Sequence, residues 1–371
     1  MRARRFLAGP WPWCLLLAGC GLPMPTLREG MDPHRFSACQ DPDAQHAWDE
    51  ALVHLQAGRD RDAVPLLRSV VERCPEHVAA HRYYQEAATH VGGDSAAAMA
   101  AFYGQLPDSN RSPVPAYAKA ALMPTDYERK QALDKILARF PDFAWAHLSL
   151  ARVQRKIGRL RDAVESYQRA VSIDHDLIDA YVELAETLVE LGQYEEAVLP
   201  YDNYLHANPN DRSAVLAYAH LLLYRLGRHA AARPLIERLL AGDPGDAVAM
   251  MDLAGVEWRA GNRETALADY LRVLEGGQAG AQTEARAALN IGNLHYDAYG
   301  DEPAARREHW PKARKAYQFY LRLIRPEDGQ DMFEKWCAVP FRMDEIDKFL
   351  GPEEKHDEKA GDKAPTPADL K

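Results

Sequence analysis

The residues around Cys20 indicate a specific processing reaction more directly than any other part of this sequence. It closes the run Leu-Ala-Gly-Cys at positions 17–20 and follows a mostly apolar stretch at positions 6–17. The stretch lies behind a basic start that contains three arginines within the first five residues. A basic start, a short apolar run and small residues before the cleavage point are typical of a signal peptide. We therefore predict a signal peptide over residues 1–19, and a cysteine at the first position after it.

The run at positions 17–20 resembles the lipobox of bacterial lipoproteins, in which the cysteine is lipidated and becomes the first mature residue. The resemblance implies that Cys20 carries acyl chains, palmitate among them, whose burial at about 0.8 kcal/mol per CH₂ makes attachment to a membrane effectively permanent. In that family an Asp after the cysteine commonly retains the protein in the inner membrane, and this sequence has Gly21 instead. The resemblance thus implies the bacterial cell envelope, at the periplasmic face of the outer membrane. A plain secretory signal or a buried apolar helix remain the alternatives.

The other cysteines suggest a disulfide. After signal removal and lipidation, Cys39, Cys74 and Cys337 remain. An oxidising periplasm permits disulfides, and a bridge between Cys39 and Cys74 would contribute about 3 kcal/mol on loop-entropy grounds. Because separation in sequence does not fix distance in space, this bridge is a hypothesis.

Cys74, His77 and His81 have a spacing that could supply three zinc ligands. We favour a structural interpretation, in which Cys74 and His77 flank the turn at Pro75 and His81 packs inside a repeat, and we predict no metal and no cofactor. The sequence has no nucleophile-elbow, phosphate-loop, dinucleotide-binding or H-E-x-x-H motif. We therefore nominate no catalytic residue and predict that the protein is not an enzyme. The alternative is an envelope enzyme or its regulatory subunit, with a cryptic, metal-dependent site near these residues or in the segment 299–309.

Composition excludes several classes of protein. The 371 residues are 47% hydrophobic and 27% charged, which is too polar for a multi-span membrane protein and too apolar for a disordered chain. The formal net charge of -10 argues against a nucleic-acid binder, because phosphate would be repelled on average. At this length we expect several domains or a linear array of small packing units.

A 34-residue repeat organises the middle of the chain. Gly158 and Gly192 are 34 residues apart, as are Ala163 and Ala197. The blocks around them read as two amphipathic helices with a glycine turn between them and a closing turn after them. The stretch 178–211 carries the pattern best, with a bulky residue early, small residues on both helices and a proline at the closing turn.

This pattern resembles the tetratricopeptide repeat. The resemblance implies an all-α fold, a solenoid of helical hairpins that winds into a right-handed superhelix. It also implies a protein that binds other proteins or peptides along the concave face formed by the first helix of each pair.

The predicted organisation of the chain has five parts. They are the lipoprotein signal peptide at 1–19; the lipidated cysteine and tether at 20–43; the repeat array at 44–326, degenerate at 78–143 and with an insertion near 299–309; a helical cap at 327–350; and a disordered charged tail at 351–371.

The family geometry assigns a set of outward-pointing positions on the first helices to the concave groove. Aromatic and arginine side chains, which dominate binding energetics, recur among them. The predicted partner-binding residues are Trp145, Arg152, Lys156, Glu186, Glu190, Tyr224, Arg225, Trp258, Arg259, Arg286, Asn293, Tyr296 and Asp297.

These observations together predict a membrane-anchored scaffold that binds partner proteins of the envelope and not nucleic acid. By analogy with repeat lipoproteins of this layout, we expect it to assist assembly of a pilus, secretion or motility machine. The sequence indicates neither the partner nor the oligomeric state.

Overall fold

The protein is described from a computed structural model over residues 41–106, 112–276, 279–297, 302–324, 339–350 and 366–370. Within these ranges all regular structure is helical, without a strand. This confirms the predicted all-α class. The chain divides into two compact units, one ending at Asn208 and one beginning at Pro209. The predicted signal peptide, Cys20, the tether up to residue 40 and Cys39 lie outside the described residues.

Unit 1 consists of helices that pack against their neighbours along the chain. In the described part of this unit, each odd-numbered helix pairs with the even-numbered helix after it, and we call them the first and second helix of a pair. The helices are α1 (Pro42–Gln56), α2 (Asp60–Arg73), α3 (Val78–Val91), α4 (Gly93–Gln105), α5 (Val114–Ala121), α6 (Asp126–Arg139), α7 (Ala144–Lys156), α8 (Leu160–Ile173), α9 (Ile178–Glu190) and α10 (Val198–Ala207).

Unit 2 continues the same pairing and ends in an additional helix. Its elements are α11 (Arg212–His220), a π-helical turn (Leu221–Arg225), α12 (His229–Gly242), α13 (Ala247–Arg259), α14 (Arg263–Glu275), α15 (Ala281–Asp297), α16 (Pro303–Leu323), α17 (Val339–Leu350) and a 3₁₀ turn (Pro367–Leu370). Residues 303–309, which were predicted to belong to an insertion, form the first turns of α16.

Small residues set how closely the two helices of a pair approach. Ala151 of α7 and Ala163 of α8 are both fully buried, and Tyr167 of α8 is buried beside them. Because an alanine presents only a methyl group, the backbones can approach closely while the tyrosine ring fills the adjoining space. Gly158, between these helices, has a φ of 78°, which is strained for any residue with a Cβ. The periodic alanines and glycines of the sequence therefore mark the crossing and the turn of each pair.

The π-helical turn coincides with one extra residue in the repeat. Ala185 and Ala219, at the crossings of α9 and α11, are 34 residues apart, whereas Gly192 and Gly227, in the turns that follow, are 35 apart. The additional residue therefore lies between Ala219 and Gly227, where the π-helical turn lies. A π turn widens a helix by one residue and is frequent at functional sites. Within unit 2, this turn changes the direction of the side chains that follow His220.

The described C-terminal residues pack on α14, α15 and α16. Val339 and Ile346 of α17 are buried in a cluster with Trp310 and Tyr317 of α16. Leu370, in the 3₁₀ turn, is also fully buried. The prediction of a disordered tail therefore does not hold for residues 366–370, because an apolar side chain there has a packing site. Residues 327–338 of the predicted cap, and residues 351–365, lie outside the described residues.

His77 makes unit 1 sensitive to acid. It caps the N-terminus of α3, where its Nδ1 accepts a hydrogen bond from the backbone N–H of Ala80 at 3.2 Å. Burial lowers the pKa of His77 to about 4. The unfolded chain takes up this proton below a pH of about 6.5 while the folded chain does not, so stability falls as the pH drops from there towards 4.

We predict that His77→Asn reduces the loss of unfolding free energy between pH 7 and pH 5 by about 2 kcal/mol. Asparagine is a good N-cap and does not titrate, so the helix start is kept. Chemical denaturation of both proteins at the two pH values measures this difference. An equal loss in the variant and the parent would show that His77 is not the responsible group.

Candidate binding face

In unit 1, the predicted groove residue Arg152 is held by a carboxylate of the next first helix. Its Nε and Nη2 donate to the two oxygens of Glu183 on α9, at 2.8 Å and 2.6 Å. The Tyr167 hydroxyl donates to the same carboxylate at 2.9 Å. Burial raises the pKa of Glu183, but the hydrogen bonds from Arg152 and Tyr167 lower it more, so the group stays ionised. The guanidinium of Arg152 is therefore held in an ion pair within the fold.

Arg155 makes a second link between α7 and α9. It binds Glu186 at 3.0 Å and Glu190 at 2.5 Å, and both of these carboxylates were predicted to face a partner. Arg155 and Glu183 were not among the predicted groove residues. The signal available was a spacing of 31 residues between each arginine and its first partner, which brings them side by side on neighbouring first helices. We call these ion pairs between the two helices the α7–α9 ladder. Most of the charged side chains predicted for this part of the groove take part in it.

The two remaining predicted residues of unit 1 are Lys156 and Trp145. Lys156 forms an ion pair with Asp126 at 2.8 Å, although its side chain is largely exposed. Trp145 is half-buried on α7. Unit 1 therefore offers a face whose charges are mostly balanced internally.

Unit 2 has a cleft that its first helices line for the most part, and we call it the Trp258 cleft. Its volume is about 380 Å³, and it brings together four of the predicted residues. The π-helical turn, α13, α14 and α15 line it with Leu223, Tyr224, Met251, Gly255, Trp258, Arg259, Tyr270, Arg286, Leu289 and Asn290.

Tyr224 is fixed at the rim of the Trp258 cleft by a buried aspartate. Its hydroxyl donates to Asp252 Oδ1 at 2.5 Å, and His220 Nε2 lies 2.6 Å from Oδ2 of the same carboxylate. Asp252 is 1% exposed, whereas Tyr224 is 47% exposed. The polar end of the tyrosine is thus anchored while its ring stays accessible. The sequence signal for Asp252 was a lone acidic residue within the apolar stretch of α13.

Tyr270 of α14 contributes its hydroxyl to the cleft. Burial raises the pKa of this phenol, while a hydrogen bond from Asn290 and the charges of Arg259 and Arg286 act in the opposite direction. Both guanidinium groups line the cleft together with Tyr270.

The arginines of the cleft differ from those of unit 1. Within the described part of the chain, no carboxylate lies within 4.0 Å of Arg259 or Arg286. Arg259 and Arg286 are exposed. Arg225, also predicted, lies in the π-helical turn beside Tyr224 and is exposed. Two cations next to aromatic rings thus remain available to a ligand.

The last three predicted residues contact α17 instead. Arg342 of α17 donates to Asn293 Oδ1 at 2.6 Å, lies 3.4 Å from Asp297 and stacks over the Tyr296 ring with its guanidinium carbon 4.6 Å from the centroid. The Tyr296 hydroxyl donates to Glu345 at 2.5 Å. The end of α15 is therefore covered by this chain's own helix, and the structure does not bring these residues into the Trp258 cleft.

The alternative zinc ligands have other roles. Cys74 is disulfide-bonded, and its partner lies outside the described residues, as does Cys39. The nitrogens of His81 lie 2.9 Å from the Tyr103 hydroxyl and 2.9 Å from the carbonyl oxygen of Pro75. His77 caps α3 as described above. The spacing that suggested zinc therefore reflects a disulfide, a cap and a buried hydrogen-bonded pair.

Over the ranges that the structure describes, every helix is too short or too polar to cross a bilayer.

Comparison with known proteins supports a helical fold of tetratricopeptide repeats. Residues 182–247 and 221–282 match a family model described as "Tetratricopeptide repeat", and residues 152–192 match one described as "TPR repeat". Neither model describes a catalytic family. The sequence matches no curated protein.

Among solved structures, the C-terminal part of a TPR repeat-containing protein from Cytophaga hutchinsonii is similar at 13% identity, covering 70% of this chain and 99% of that one, with a TM-score of 0.50. MamA from Desulfovibrio magneticus matches at 18% identity over 50% of this chain and 97% of its own, with a TM-score of 0.42. YrrB, titled a TPR protein with an unusual peptide-binding site, matches at 18% identity over 56% of this chain and 98% of its own, with a TM-score of 0.41. The first of these likenesses supports the helical-repeat fold.

Proposed function

Because residues 152–282 match tetratricopeptide repeats, whose family generally binds peptides or other proteins, we propose that this chain is a protein-binding scaffold. Its partner segment binds in the Trp258 cleft. The observation that carries this proposal is the combination, on the first helices of unit 2, of accessible aromatic rings with two unpaired guanidinium groups.

The residue types in the cleft favour protein binding over a purely structural role. Trp, Tyr and Arg supply most of the energy of protein interfaces, because they bury large areas and also form directed polar contacts. The volume of the cleft lies within the range of about 300–1,000 Å³ that is usual for ligand sites. Trp258 is half-buried against the core, so its ring is held in place before a partner arrives. Such preorganisation lowers the entropic cost of binding.

The proposal places the scaffold at the envelope. Lipidation of Cys20 anchors it, and the absence of an Asp at position 21 favours the periplasmic face of the outer membrane. The disulfide at Cys74 supports an oxidising compartment, because disulfides are rare in reducing ones. The partners are envelope proteins, and the function is to assist assembly of a machine such as a pilus, a secretion system or a motility apparatus.

Capture of crosslinked partners from the membrane fraction tests this function. We predict that Tyr224→Ala combined with Trp258→Ala reduces partner recovery at least about tenfold, since hot-spot aromatics each contribute about 2 kcal/mol or more. Helicity by circular dichroism should stay unchanged, because Tyr224 is half exposed and Trp258 is only partly buried.

Two controls accompany this experiment. Tyr127→Ala removes an exposed tyrosine of α6 that lies outside the cleft, and it should leave recovery unchanged. Cys20→Ala should move the protein out of the membrane fraction. Undiminished recovery with the double variant would show that the cleft is not the binding site, and membrane retention of Cys20→Ala would contradict the lipid anchor.

A further inference from the structure

Among the described residues, the side chains that line the Trp258 cleft include two arginines and no carboxylate. The chain has 55 acidic residues against 45 basic ones, and the arginines of the α7–α9 ladder are all paired with carboxylates. Among the described residues, Arg259 and Arg286 have no carboxylate at ion-pair distance, and both lie in the cleft with Trp258 and Tyr224. In an acidic protein, unpaired exposed arginines next to aromatic rings favour an anionic ligand.

The carboxylate of Asp252, which lies next to this cleft, already has partners within the fold. Asp252 accepts a hydrogen bond from Tyr224 and lies 2.6 Å from His220 Nε2, and it is almost completely buried. Its charge therefore serves to fix Tyr224 and leaves the two guanidinium groups without a direct contact. A carboxylate brought by a ligand would supply one, and guanidinium groups bind carboxylates with strong, charge-assisted hydrogen bonds.

The apolar walls of the cleft define what lies next to that carboxylate. Met251, Leu289 and the rings of Tyr224 and Trp258 line the same space as the arginines. Gly255 lies on α13 beneath them, and the absence of a side chain there leaves room above the Tyr270 hydroxyl. A ligand with an acidic side chain beside an apolar or aromatic one would satisfy both kinds of surface.

We propose that the Trp258 cleft binds an acidic segment of a partner protein, in which an Asp or Glu side chain is held by Arg259 and Arg286 and a neighbouring apolar side chain contacts Trp258 and Tyr224. This inference rests on the proposed function and specifies its partner chemistry. The π-helical turn has a positioning role, because the extra residue at 220–226 places Tyr224 where Asp252 can hold it.

Selection from a random ten-residue peptide library on the immobilised full chain tests this preference. The library is displayed in two formats, one with both ends joined to the display protein and one with a free C-terminus. The expected result is enrichment of Asp or Glu beside Trp, Phe or Leu in both formats. With the double variant Arg259→Glu and Arg286→Glu, Lys and Arg should be enriched instead. Selection of the same peptides by the parent and this variant would overturn the proposal, as would recovery of binders only in the free C-terminus format.

The best peptide then gives a quantitative test. Changing Glu to Gln in the peptide, or Arg286 to Ala in the protein, should each weaken binding about tenfold. With both changes together, binding should be only slightly weaker than with either change alone. Arg307→Ala on α16, an exposed arginine outside the cleft, should have no effect. If Tyr224→Ala with Trp258→Ala abolishes partner capture but the peptides show no acidic preference, the proposed function stands and this inference fails.

Discussion

Replacing Gly292 with alanine is expected to destabilise unit 2, although the same change in most helices is stabilising. Gly292 lies in α15 where that helix crosses α16, and a Cβ built on it would be only 2.6 Å from Cδ1 of Tyr317. The Tyr317 ring is fully buried, and its hydroxyl is bonded to Asn293 and Arg342. Because this ring cannot move away, overpacking should cost about 1–3 kcal/mol. That exceeds the gain of about 1 kcal/mol that alanine offers over glycine in a helix.

Gly255→Ala is the matched control for this prediction. Gly255 lies in the middle of α13, and an added Cβ would lie 3.9 Å from the Tyr270 hydroxyl, which is an ordinary contact. This variant should be neutral or more stable by up to about 1 kcal/mol. Denaturant unfolding of the three proteins measures both effects. If Gly292→Ala is as stable as Gly255→Ala, the close crossing of α15 and α16 is wrong.

Removing the guanidinium of Arg152 is expected to cost unit 1 about 1–3 kcal/mol, because it leaves the Glu183 carboxylate without its bidentate partner. The side chains of Arg152 and Glu183 are 36% and 21% exposed. The cost should therefore be smaller than the 3–5 kcal/mol or so that follows the breaking of a fully buried ion pair. It should exceed the ~0–1 kcal/mol of a surface pair, since Glu183 also accepts from Tyr167.

A double-mutant cycle isolates this interaction. Arg152→Met and Glu183→Gln, alone and together, should give a coupling energy of at least about 1 kcal/mol, so that the double variant is less destabilised than the two single losses added together. Arg169→Met is the comparison, because its partner Asp142 and its own side chain are both more than half exposed. That variant should lose no more than about 0.5 kcal/mol. Additive losses in the cycle would show that the ion pair between Arg152 and Glu183 does not form.

The helical pairs could be predicted from the sequence because their determinants are local. A glycine turn, an alanine at each crossing and a tyrosine between helices recur with a fixed spacing. Gly158, Ala163 and Tyr167 are examples, and the structure places all three where the pattern requires. The family geometry also identified Tyr224, Trp258, Arg259 and Arg286, which the structure brings into one cleft.

Whether the predicted groove residues are free to contact a partner could not be predicted from the sequence. Whether Arg152 meets a ligand or Glu183 depends on the side chains of the next first helix, and Tyr296 is covered by a helix some fifty residues later. The extra residue before Gly227 is visible in the spacing, but the spacing does not show that it is accommodated as a π-helical turn, nor that the Tyr224 hydroxyl in this turn bonds to Asp252. Long-range partners therefore decide which part of a periodic surface stays open.

Site-specific photo-crosslinking in living cells tests the central claim most directly. A photoreactive phenylalanine analogue is placed at position 224 or 258 in the cleft, and at position 127 on the exposed face of α6 as a control. The account predicts discrete adducts with the same partner from positions 224 and 258, and their loss when Arg286→Glu is added. Adducts from position 127 together with none from the cleft positions would contradict it.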